Sequence, residues 1–164
     1  MVVWIAICVA LSIAVLSTVR MLRTAFRPLE TLLYYMVITV AIEQTHSAII
    51  DNLKLIRFSE SVSAFFCFKL NQVIIFPVVT LWLLHSFFAV SGRVLRKAMF
   101  AIAWFLAMSG AYYLFDKLGI LELKGWHMLY SLAYWLTVLT ESLCFAWWFR
   151  KLLRKRERDD SVSA

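Results

Sequence analysis

Glycine and proline are scarce, at four and two among 164 residues. A chain so poor in both has little material for long loops, and it is neither collagen-like nor a Gly- or Pro-rich disordered segment. Charged residues are also few, at 16%. The three cysteines, Cys8, Cys67 and Cys144, all fall inside apolar runs. An odd number so placed argues against a disulfide framework, and a zinc site wants ligands paired at close spacing, so they read as small hydrophobes. No Gly-rich phosphate loop, nucleophile elbow, His-Glu-x-x-His helix or Cys-x-x-Cys occurs. The constellation an intramembrane protease or acyltransferase needs is missing as well. The balance leans away from an enzyme, and no cofactor is expected.

What is present is apolar. Hydrophobic residues make up 63% of the chain and aromatics 16%, with mean hydropathy +0.79. Soluble domains run near roughly 45–50% apolar, so the excess points to a membrane protein. A helix needs about 20 apolar residues to cross the hydrocarbon core. Five stretches qualify: residues 1–19, 31–50, 63–90, 98–115 and 127–149. The expected fold is an all-α, multi-pass bundle of five transmembrane helices over residues 1–149, followed by a basic tail over 150–164. The third span is overlong, so either its first turns lie in the interface or it tilts and bends at Pro77. The fourth is barely long enough. The segment DNLKLIRFSE, residues 51–60, mixes charge with Leu53, Leu55, Ile56 and Phe58 and reads as a short surface helix. The first span lacks a basic n-region and a small-residue cleavage site, and so reads as an uncleaved span.

Charge orients the bundle. Arg20, Arg23 and Arg27 follow span one, and Arg93, Arg96 and Lys97 follow span three. Arg150, Lys151, Arg154, Lys155, Arg156 and Arg158 follow span five. The opposite loops carry only Lys54, Arg57, Lys117 and Lys124, each offset by acids. Twelve basic residues against four is a positive-inside asymmetry that places the amino end outside and the carboxyl end in the cytoplasm of a cell membrane. Tyr112, Tyr113, Trp126, Tyr130, Trp147 and Trp148 fall at span ends, where amphipathic rings meet the lipid–water boundary. The compact, short-looped plan is bacterial in style.

Ionisable groups at membrane depth are candidates for function by default. Glu43, Gln44, His46, Lys69, Asn71 and Gln72 form the first expected cluster. Glu43 lies eight residues before Asp51 and Lys69 nine after Glu60. Both therefore sit roughly 12–13 Å from the same outer loop on antiparallel neighbours, as a charge pair would. His46 is one turn further out on the Glu43 face. Glu141 lies about 21 Å from the outer side. With Tyr134, Thr137 and Trp148 it forms a mildly polar stripe, and a second expected cluster joins His85, Thr137 and Glu141.

Three readings follow. In the first, the polar residues are interhelical glue in a non-enzymatic membrane subunit or interaction protein. In the second, Glu43, His46 and Glu141 carry protons or ions through a small transporter or channel. Five helices enclose little room for a solute path, which favours a homo-oligomer or a membrane partner protein. In the third, the Glu-x-x-His spacing of Glu43 and His46 binds metal, or histidine binds haem. Di-iron bundles need a second copy and further acids, however, and the chain has one copy. Arg150, Lys151, Arg154, Lys155 and Arg156 suit anionic lipid headgroups as well as topology, and nucleic acid is set aside because this charge is explained by topology. Glu157, Asp159 and Asp160 suggest a disordered end. Ala103, Ala107 and Ala111 recur every fourth residue, a spacing suited to close internal packing or to a dimer seam, of which internal packing is favoured.

Overall fold

The computed structural model describes residues 2–24, 26–59, 61–89 and 94–162. Glu60 and Arg93 lie outside the described residues, as do the side chains of Arg23, Asp51, Arg156, Glu157, Arg158, Asp159 and Asp160. The chain is an all-α bundle with one short two-stranded ladder. Its helices are α1 (Val2–Thr18), α2 (Pro28–Ser47), α3 (Val62–Leu70), α4 (Phe76–Ala89), α5 (Val94–Lys117) and α6 (Met128–Val162). A 3₁₀ segment, Val19–Thr24, extends α1, and π-helical turns follow α2 at Ala48–Asn52 and join α3 to α4 at Asn71–Ile75.

Among the described residues four helices are long and apolar enough to cross a membrane: Ile5–Leu22, Val62–Phe88, Val94–Lys117 and Met128–Lys155. The surface agrees with that property. Ile13, Met36, Met99, Ile102, Leu129 and Leu136 are all exposed, giving a surface rich in large apolar side chains. The fifth rod, α2, is shorter of apolar residues because Glu30, Glu43, Gln44 and His46 lie on it. It packs against both α4 and α6. Its start is well specified. Pro28 sets the first helical dihedral, and Glu30 Oε2 accepts the Arg27 N–H at 2.7 Å.

The overlong third span is one rod with a widened turn ahead of Pro77. Proline has no N–H for the carbonyl four residues back, which is that of Val73. That oxygen instead accepts the Tyr35 hydroxyl of α2 at 2.7 Å. A missing backbone donor thus becomes a helix–helix contact.

Several expectations are corrected. The segment 51–60 is not a surface helix: Ile56–Phe58 is a strand, β1, antiparallel to β2 (Leu121–Leu123). Arg57 faces Glu122 across the ladder, and Ile56 and Leu121 turn inward to full burial. Lys54, at φ 52°, and Gly119 and Gly125, at φ 65° and 68°, turn the chain into and out of the strands. A partner more than sixty residues away outcompetes the local helical pattern. The tail is not disordered as far as Val162, because α6 runs through it without a break. Arg, Lys, Leu and Glu are strong helix formers, and no glycine or proline interrupts them. The cysteines are not all inert. Cys8 and Cys67 are joined as a disulfide, with Cα atoms 6.0 Å apart, because α1 packs along α3. Ala103 and Ala107 face outward, not into the bundle. The core side of α5 is instead Trp104, Met108, Ser109, Tyr112 and Phe115.

Candidate functional site

Pairing of β1 with β2 brings the α2–α3 and α5–α6 connections together over one end of the bundle. Beneath this cap lies a polar part of the interior. His46, near the end of α2, is buried, with its ring stacked on Phe68 at 5.0 Å and 28°. Phe58 of β1 approaches it from the cap at 5.9 Å. The His46 Nδ1 lies 3.1 Å from the Tyr112 hydroxyl, which donates to the Tyr134 hydroxyl at 3.3 Å. Three helices, α2, α5 and α6, are thereby linked by one hydrogen-bonded chain.

The surrounding rings hold this chain in place. Tyr112 is stacked with Trp126 at 6.2 Å and with Phe76 at 6.0 Å, and meets Trp135 edge-on at 5.8 Å. The Trp126 indole N–H donates to Ser131 Oγ at 2.7 Å. Tyr112 and Trp126, expected at the lipid–water boundary, are therefore buried core residues. The clue lies in spacing: Trp104, Met108, Tyr112 and Phe115 share one face of α5.

Of the six residues expected in the first cluster, Glu43 and Lys69 meet directly. The Lys69 Nζ donates to Glu43 Oε2 at 2.8 Å, joining α2 to α3. Their side chains are 37% and 31% exposed, so the pair sits on the flank of the bundle and not in its core. His46 turns to Tyr112, as described. Asn71 turns to α1: its Nδ2 donates to the Cys67 carbonyl at 2.7 Å and lies 3.6 Å from Cys8 Sγ. Gln72 is fully buried, and its carboxamide has no hydrogen-bond partner among the described residues. Gln44 faces outward. Glu43 and His46, the two residues of the Glu-x-x-His spacing, thus engage different partners on different helices. Among the described residues no group of three or more His, Cys, Asp or Glu converges.

The second expected cluster does not assemble. His85 Nε2 lies 3.0 Å from Thr24 Oγ1, with the ring against Trp82 and Phe26. Thr137 is exposed and donates to the Ala133 carbonyl of its own helix at 2.9 Å. Glu141 is exposed. Ser131, Trp135, Val138, Ser142 and Ala146 define the core side of α6. Glu141 follows Tyr134 by seven residues and falls just off that side, so Tyr134 is buried while Glu141 is not.

At the other end the basic residues gather. The Arg150 guanidinium lies over Phe88 at 4.3 Å and Phe26 at 5.1 Å, and Lys151 Nζ lies over Trp147 at 5.4 Å. Arg154 and Lys155 are exposed. A crevice of about 460 Å³ opens here between α1, α2 and α4, lined among others by Leu16, Arg20, Leu32 and Leu81.

The class of protein these features define is an all-α bundle whose long apolar helices fit a membrane protein. No protein-family model matches the chain, and no curated protein or solved structure shows significant similarity to it.

Proposed function

We propose that this is a five-span protein of the cell membrane, amino end outside and carboxyl end cytoplasmic, acting as a non-enzymatic membrane subunit or interaction protein. Its polar residues set which helices pack together. The observation that carries this reading is that these groups answer one another across helices. Lys69 meets Glu43, His46 meets Tyr112 and Tyr134, and Trp104 Nε1 donates to Thr80 Oγ1 at 3.2 Å. Such bonds specify partners where lipid offers no hydrophobic drive between helices. Including α2 as a span is reasonable because Glu30, Glu43 and His46 each have a partner, so its polarity is compensated. The orientation rests on Arg20, Arg27, Arg96, Lys97, Arg150, Lys151, Arg154 and Lys155 lying at one end of an alternating bundle.

The proton- or ion-transport alternative loses support from the outward placement of Glu141, although the His46–Tyr112–Tyr134 chain keeps part of such a path. Two measurements test the proposal. A fluorescent reporter fused to the carboxyl end should fold and fluoresce in the cytoplasm, and active alkaline phosphatase at that position would reverse the orientation. Glu43→Ala or Lys69→Ala should each remove about 2 kcal/mol, with the Glu43→Lys/Lys69→Glu exchange restoring most of it. Single variants as stable as the parent would end the packing role of this pair.

A further inference from the structure

The crevice between α1, α2 and α4 has the composition of a lipid site. Its walls include Leu16, Leu32, Val78 and Leu81, and among the described residues Arg20 is the one charged residue lining it. Its volume of about 460 Å³ falls in the range of small-ligand sites. The polar groups on its wall already have partners: Tyr35 donates to the Val73 carbonyl at 2.7 Å and Thr31 to the Arg27 carbonyl at 3.3 Å. The nearby acid Glu30 is turned back onto the Arg27 N–H and does not line it. Among the described residues no acid pairs with Arg20, which therefore presents its positive charge beside an apolar slot.

We infer that this crevice binds one anionic glycerophospholipid, with an acyl chain between α1, α2 and α4 and the phosphate on the Arg20 guanidinium. The inference rests on the membrane reading above. A guanidinium holds phosphate through paired N–H donors, which suits Arg better than Lys here. A zwitterionic headgroup would bring its own cation beside Arg20, so an anionic one is preferred. This site is separate from the tail. There Arg150 lies over Phe88 and Phe26 and Lys151 over Trp147, so two of its cations are already packed against rings.

The test is native mass spectrometry of the full chain in detergent, doped with equal phosphatidylglycerol and phosphatidylcholine. The parent should retain phosphatidylglycerol about fivefold over phosphatidylcholine. Arg20→Gln should equalise the two, and Leu32→Trp, at an exposed position on the rim, should reduce both by filling the slot. The double variant Arg154→Gln/Lys155→Gln should keep the preference. Preference surviving Arg20→Gln, or vanishing in the tail variant alone, overturns the site. Where Arg20→Gln melts early without lipid, Leu32→Trp decides: retention equal to the parent overturns it. Release of the protein from membranes by alkaline carbonate would instead overturn the membrane reading, so the two failures are distinct.

Discussion

Under the β1–β2 ladder, polar side chains are buried and each link joins separate helices: His46 to Tyr112 and Tyr112 to Tyr134, with the half-buried Lys69–Glu43 pair on the flank beside them. At the opposite end, Arg154 and Lys155 stand exposed, and Arg150 rests on the faces of Phe26 and Phe88. The difference follows from solvent. A buried hydroxyl or imidazole loses water and must find a protein partner, so its geometry becomes specific. A cation at the boundary keeps water or headgroups and can also lean on an aromatic face. The capped end is where substitutions should be felt most, and the basic end is where they should be tolerated.

That contrast can be broken in order of size. Tyr112→Ala removes a ring packed against Phe76, Trp126 and Trp135 and should cost about 4 kcal/mol, lowering the melting temperature by roughly 10 °C. Tyr112→Phe keeps the ring and removes the hydroxyl that joins His46 to Tyr134, and should cost about 1–3 kcal/mol. Equal melting of Tyr112→Phe and the parent would show that the ring alone matters. The Glu43 and Lys69 variants come next, since their pair is a third exposed. Arg150→Ala should cost no more than about 1 kcal/mol in a thermal melt. Glu141→Gln should stay within about 0.5 kcal/mol of the parent. A large loss there would mean that the outward face of α6 is covered by another chain.

Legibility in the sequence varied by the kind of information needed. The Glu43–Lys69 contact was accessible because helical rise converts residue counts into height, and two antiparallel neighbours share one loop. Depth does not specify rotation about a helix axis. Hence Glu141, at a suitable height for His85, faces outward, while His85 turns to Thr24. Tyr112 looked interfacial because it lies near a helix end, yet the ladder caps that end and buries it. The role of Gln72 is least legible of all, since only packing places its carboxamide fully inside.

By itself the sequence determined the apolar helical class, the approximate limits of the rods and the gathering of basic charge at alternate connections. These depend on composition and on local periodicity, which act within a few turns of chain. The tertiary structure alone decided the β1–β2 cap, the Cys8–Cys67 link, the Tyr35 hydroxyl on the Val73 carbonyl and the His46–Tyr112–Tyr134 chain. Each joins residues far apart in sequence, and whether they meet depends on which faces of neighbouring helices turn toward one another.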